Sequence, residues 1–157
     1  AVRVNGHGVT EAIRDPRVTA KVSAGAAHAC VRQLLTAQQQ RMGQRGGLVA
    51  EGRDIGTAVF PDAELKVFLT ATPAERARRR AADLASRGFD VPDLTTLEAQ
   101  IVERDQLDSS REVAPLVQAE DATELITDGM TIEAVIDALD DLFRCRVPAE
   151  AWPGPAV

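Results

Sequence analysis

The stretch Leu48-Val49-Ala50-Glu51-Gly52-Arg53-Asp54-Ile55-Gly56-Thr57 decides how the rest of the chain is read. A short apolar run ending in glycines fits a buried parallel strand covered on both faces, and in open α/β sheets ligands gather at the carboxyl ends of such strands. Arg53 and Asp54 would then stand at a binding turn. A guanidinium holds a phosphate or a base edge through its planar fork, and the neighbouring carboxylate accepts from an amine or a hydroxyl. The same residues also fit a glycine-bounded turn with a surface ion pair, which contributes little to stability. On these residues alone both readings stand.

Downstream, Leu65-Lys66-Val67-Phe68-Leu69 is a second apolar run and predicts a core strand. Thr72-Pro73-Ala74-Glu75 then opens a helix: Thr72 caps it, Pro73 suits the first helical position and Glu75 completes a capping box. This helix carries Arg76, Arg78, Arg79, Arg80 and Arg87 and ends at Gly88. Neighbouring helical positions lie about 100° apart, so Arg78, Arg79 and Arg80 cannot share one face and at least one faces solvent. The row is either a phosphate clamp or a solvated basic face. A further helix is expected from Asp93 to about Arg111, with Leu97 and Ile101 as its apolar stripe. Arg104, Asp108 and Arg111 continue that spacing at offsets of four and seven, as a salt-bridge ladder or as the polar wall of a site. Val113-Ala114-Pro115-Leu116 breaks the helix, and Leu125-Ile126-Thr127 predicts a third core strand. Thr131 caps a last helix with Ile132, Val135, Ile136, Leu139 and Phe143 on its inner face. From Arg144 the chain reads as an unstructured tail.

Upstream, Val2-Arg3-Val4 followed by Asn5-Gly6 and Gly8 has hairpin-type turn chemistry. Asp15 before Pro16 starts a helix that Gly25 is expected to interrupt, and a second helix runs through Val31, Leu34, Leu35 and Gln38 to Met42. Gly43, Gly46 and Gly47 stop it.

The 157 residues suit one domain, and 45% hydrophobic with 27% charged residues describes a globular chain. The apolar runs are too short to span a bilayer and the amino terminus shows no signal-peptide h-region, so a cytoplasmic location is expected and no membrane partner. A net charge of -6 argues against binding to a nucleic-acid polymer. Sixteen of the 18 basic residues are arginines, which fits bidentate anion recognition and equally a compositional bias. Cys30 and Cys145, with only His7 and His28 in the chain, form no metal-ligand spacing, no disulfide framework and no credible nucleophile-histidine set.

Taken together these stretches resemble bacterial cytidylate kinase, which phosphorylates CMP and dCMP with ATP. The resemblance runs from about Val4 to Phe143. It is carried by Val4-Asn5-Gly6, Val9-Thr10, Ile13-Arg14, Val22-Ser23-Ala24, Val31-Arg32, the Gly52 to Thr57 stretch and Phe60-Pro61-Asp62-Ala63. Glu75-Arg76-Ala77 with Arg79-Arg80, Arg104-Asp105 with Asp108 and Arg111, and Ala114-Pro115-Leu116 complete the set. It implies an α/β fold, the parallel sheet with flanking helices of a P-loop nucleoside monophosphate kinase. It also implies part of a nucleotide-binding insertion over residues 1–24, a partial core over 25–143 with a lid around 73–92, and a flexible tail over 144–157. Ser23, Arg32 and Asp54 match residues that read the cytosine, and Arg53 matches one that holds the acceptor phosphate. Arg104 and Asp108 match residues around the ribose and phosphates, Arg111 matches another nucleotide-contacting arginine, and Arg79 and Arg80 match catalytic cations of the lid. The implied ligands are CMP, dCMP and ATP with Mg2+, and a monomer is expected.

One departure stands out. The family's P-loop, G-x-x-x-x-G-K-[ST], is not in this sequence, since neither Lys21 nor Lys66 follows a glycine. The resemblance therefore predicts that the first strand and the ATP-phosphate loop are missing from the chain, which would then be inactive by itself. Alternatives are a non-catalytic nucleotide-binding protein and a kinase for another nucleoside monophosphate.

Overall fold

The computed structural model describes residues 1–152, apart from the side chains of Ala20, Ser23 and Ala151. The chain opens with a hairpin of β1 (Arg3–Val4) and β2 (His7–Gly8), in register Arg3 to Gly8 and Val4 to His7. Asn5 and Gly6 both take positive φ, 50° and 82°, which is why an Asn-Gly pair makes this two-residue turn. Helix α1 (Pro16–Ala26) continues through Gly25 where an interruption was expected. One glycine costs a helix only about 1 kcal/mol, too little to end it. Helix α2 (Ala29–Gly43) follows, and Gly46 and Gly47 turn the chain away with φ of 68° and 61°.

Residues 48–50 are not the expected buried strand. They carry no strand pairing, Leu48 is 46% exposed and Val49 99% exposed. A strand exists only with a neighbour to complete its ladder, and among the described residues the parallel sheet consists of two strands. These are β3 (Val67–Thr70) and β4 (Thr123–Ile126), aligned Val67 with Thr123 through Thr70 with Ile126. Both lie at the two later apolar runs, yet Leu69 and Ile126 are 54% and 59% exposed, so these strands are only partly covered. The result is a mixed α/β chain with a small parallel sheet.

The crossover between β3 and β4, which parallel strands require, contains α3 (Pro73–Ser86) and α4 (Leu94–Ser109). The core sits in their seam: Ala77, Leu84, Leu97 and Ile101 are buried together, with Ala81 and Phe89 against them. Thr72 caps α3 by accepting from Glu75 N at 3.3 Å. The capping box is only half made. Thr72 N donates to Asp128 Oδ2 at 2.9 Å, while the Glu75 carboxylate takes Arg78 and Arg79 instead. Asp93 caps α4 by accepting from Thr96 N at 2.9 Å.

Thr131 caps α5 (Ile132–Arg146) through Ala134 N at 3.2 Å. Its apolar stripe is covered only in part: Val135, Leu139 and Phe143 are half-buried, while Ile132 and Ile136 are 76% and 58% exposed. The helix also runs two residues past the expected start of the tail. Beyond it Trp152 returns, its Nε1 donating to Val147 O at 2.8 Å and its ring lying 6.4 Å from Phe143 and 4.7 Å from the Arg144 guanidinium carbon. Aromatic and cation–π contacts of this kind hold the chain where composition alone predicts a loose end. Residues 153–157 of the expected tail lie outside the described residues.

Candidate functional site

The Gly52 to Thr57 stretch folds into a tight turn in place of a strand end. Asp54 precedes a single π-helical turn, Ile55–Val59, in which Val59 N donates to Asp54 O at 3.2 Å and Phe60 N to Ile55 O at 2.7 Å. Such turns recur at functional sites. Gly52 is needed for closeness: a Cβ there would lie 2.7 Å from Ile55 Cγ1. The turn is anchored to α2, where Gln40 Nε2 donates to Val59 O at 3.2 Å and Gly43 leaves room for the Phe60 ring.

This turn buries Asp54, 6% exposed, against Arg32 near the start of α2. Arg32 Nη2 and Asp54 Oδ2 form an ion pair whose side chains are 12% and 7% exposed. The neighbouring Arg53 crosses to α4, where its Nε donates to Asp108 Oδ2 at 3.1 Å. Asp108 is 2% exposed. Two more arginines reach the same carboxylate at ion-pair distance, Arg104 Nε at 3.7 Å and Arg111 Nη1 at 3.7 Å. Arg104, Asp108 and Arg111 are indeed brought together, as the ion pairs of a ladder.

Arg111 lies past the end of α4 and is held by the backbone. Its Nη2 donates to Ala114 O at 2.7 Å, and Leu116 N donates to Asp108 O at 2.8 Å. Ala114 adopts φ of 51°, a left-handed conformation that a residue with a Cβ takes only at a cost, here of about 1 kcal/mol or more. Strain of this kind clusters at functional sites. Arg76, Asp105 and Ala114 lie in stretches that carry the resemblance, but the Arg76–Asp105 pairing described below and the left-handed backbone at Ala114 have no local signal beyond Pro115.

Charge in the cluster is unbalanced. Four guanidiniums, Arg32, Arg53, Arg104 and Arg111, face two carboxylates, Asp54 and Asp108, a formal surplus of two positive charges. Nε of Arg32, of Arg104 and of Arg111 is buried with no hydrogen-bond partner in the structure. Burial, and then the charge of Arg111, push the Arg32 pKa down, with Asp108 acting the other way. Burial, followed by Arg53, does the same to Arg104. Such a site favours an incoming anion that supplies the missing negative charge and accepts from the orphaned donors.

The lid residues are placed differently. Arg79 Nε donates to Glu75 Oε1 and its Nη1 to Thr127 Oγ1, both at 2.9 Å, and its Nη2 also takes Thr127 O. It ties α3 to the end of β4 and is not part of the Asp108 cluster. Among the described residues no carboxylate lies within ion-pair distance of Arg80, whose charge acts on Arg104 and which lines a cleft of about 200 Å³ with Arg14, Thr19 and Arg87. Arg78 is the more exposed of the two paired arginines of the row, its side chain 64% accessible against 42% for Arg79. Ser23 lies in α1, but its side chain is outside the described residues.

No group of three or more His, Cys, Asp or Glu among the described residues is arranged to hold a metal ion. Among them, too, no helix is long and apolar enough to cross a membrane.

Comparison with known proteins bears on this arrangement. Residues 1–144 match the family model described as cytidylate kinase. The chain is 78% identical over 154 residues to a bifunctional pantoate ligase/cytidylate kinase of Synechococcus sp. (strain WH7803), covering 98% of the chain and 31% of that relative. It is 77% identical over 154 residues to the protein of the same description from Prochlorococcus marinus (strain MIT 9303), covering 98% of the chain and 32% of the relative. The chain thus spans about a third of the length of these curated relatives. With 144 of its 157 residues inside the match, it belongs to the cytidylate kinase family of phosphotransferases.

Proposed function

We propose that this chain is the acceptor-binding and lid portion of a cytidylate kinase that transfers the γ-phosphoryl group of ATP to CMP or dCMP, giving CDP or dCDP and ADP. The observation that carries the reading is the cation-rich cluster on the buried Asp108 beside the Arg32–Asp54 pair. A nucleoside monophosphate supplies what it lacks, a phosphate for the surplus guanidiniums and hydrogen-bonding groups for the orphaned donors. In this reading Arg53, Arg104 and Arg111 take the acceptor phosphate, and Asp108 turns toward the sugar hydroxyls. Arg32, Asp54 and Ser23 read the cytosine edge, and a wrong base would leave those buried groups unpaired. Arg79 and Arg80 would neutralise charge on the transferring phosphoryl group, in a reaction whose catalysis is positioning and electrostatics. Arg79 must then exchange its Thr127 bonds for the nucleotide. The P-loop lysine and hydroxyl that would hold ATP phosphates and Mg2+ are not among these residues, so no step is assigned to the metal.

The names of the relatives support placing the chain as the kinase portion of a longer protein that also carries a pantoate ligase. The test is phosphorylation of CMP, dCMP, UMP and AMP by the full-length gene product. CMP and dCMP are expected to be the preferred acceptors, and a preference for UMP or AMP would replace the substrate reading with that of another monophosphate kinase.

A further inference from the structure

The Arg76–Asp105 pair has no role in the reading above. Arg76 lies one turn into α3; Asp105 follows Arg104 on α4 and precedes Asp108 by three positions. Arg76 Nη2 donates to Asp105 Oδ1 at 3.0 Å and Nη1 donates to Oδ2, so the fork takes both carboxylate oxygens. The two side chains are 30% and 27% exposed, and the α3–α4 seam is already packed by Ala77, Leu84, Leu97 and Ile101, so the pair adds little to stability. Electrostatically it matters more. Asp105 is close enough for its charge to act on Arg104, whose Nε is buried without a partner. Released from Arg76, this carboxylate would compete with any anion approaching Arg104.

We propose that Arg76 is a positioning residue of the acceptor site: by holding both oxygens of Asp105, it keeps that carboxylate from neutralising Arg104 and leaves Arg104 free for the phosphate of the acceptor nucleotide. The proposal rests on reading the Asp108 cluster as a nucleoside monophosphate site. It predicts an unusual pattern, in which removing the second partner repairs the loss of the first.

The test is the KM for CMP and for ATP in the full-length gene product carrying R76Q, D105N or both. R76Q is expected to raise the KM for CMP by about tenfold, the effect of one uncompensated charge several ångströms away near a protein surface, and to leave the KM for ATP unchanged. D105N is expected to bind CMP at least as well as wild type, and the double variant to return within about twofold of it. A double variant no better than R76Q would overturn the proposal, because the pair would then be holding α4 in place. If R76Q fails to fold, D105N decides alone, and a KM for CMP above that of wild type counts against the role. Should another nucleoside monophosphate prove to be the acceptor, the base reading fails while the same comparison, made with that nucleotide, still decides the role of Arg76.

Discussion

Two groups of arginines in this molecule sit beside carboxylates in opposite ways. Along α3 the partners are local and the arginines reach water: Arg78 and Arg79 lie on the largely buried Glu75, and Arg87 lies on the exposed Asp83 at 2.8 Å, with arginine side chains 64%, 42% and 38% exposed. Around Asp108 and Asp54 the partners come from α2, the π-turn and α4, and the two carboxylates are 3% and 7% exposed. The lesson is that arginine abundance marks nothing by itself, whereas four guanidiniums gathered on two buried carboxylates leave a local excess of positive charge. Solvent screens the first group and makes its pairs nearly neutral in energy. The second is held in place while still short of negative charge, an arrangement that the acceptor phosphate of the proposed function would complete.

The strongest way to break the comparison is to remove the shared anion. Asp108→Ala leaves Arg53, Arg104 and Arg111 without it, and stripping one partner from a buried ion pair costs about 3–5 kcal/mol. Thermal or denaturant unfolding of the full-length protein checks this, and a loss below about 1 kcal/mol would put Asp108 with the exposed row. Arg53→Ala separates binding from stability. Its side chain is 37% exposed, so unfolding should move by less than about 1 kcal/mol. Loss of one preorganised donor to a phosphate is expected to lower kcat/KM for CMP by about 10²-fold, and equal losses with CMP and in stability would contradict the site reading. Gly43→Ala tests the support beneath the site. The new Cβ would fall 2.4 Å from Phe60 Cε1, and overpacking costs about 1–3 kcal/mol. Since Phe60 ends the turn that follows Asp54, CMP affinity should fall with stability in this variant.

What could be read in advance follows the range of each interaction. The caps at Thr72, Asp93 and Thr131 are local, and all three form. Glu75 was read as closing a capping box because sequence shows only its spacing from Thr72; Asp128, 56 positions away, reaches Thr72 first. The strand expected at residues 48–50 failed for the same reason, since an apolar run does not say whether a neighbour is there to pair with it. In the site, Arg104 and Asp108 share a face by helical arithmetic, and Arg111, just past the end of α4, still reaches the same carboxylate. Their meeting with Arg53, 55 positions from Asp108, depends on how the π-turn docks on α4, and only the family resemblance pointed to it. The Arg76–Asp105 fork and the strained Ala114 were invisible because both depend on tertiary contacts.

The smallest effect belongs to the exposed region and is set by pH. Two hydrogen bonds from Thr72, from its hydroxyl and from its backbone N–H, hold the Asp128 carboxyl below the ordinary aspartate range near 3.8. The folded state therefore prefers the carboxylate more strongly than the unfolded chain does. That preference stabilises the fold fully above the unfolded pKa, and it disappears as pH falls through the lowered folded value. Asp128→Ala should thus reduce the thermal midpoint at pH 7 by a small amount, and the gap to wild type should narrow as pH drops below about 4. The variant must be compared with wild type at each pH, because Asp15, Asp93 and Asp121 are also held low and titrate over the same interval. A gap that stays constant down to the acid limit would mean that Asp128 acts through its shape and not its charge. α3 would then be anchored at its start by packing alone, and the contrast with the charge-held cluster on Asp108 would be sharper still.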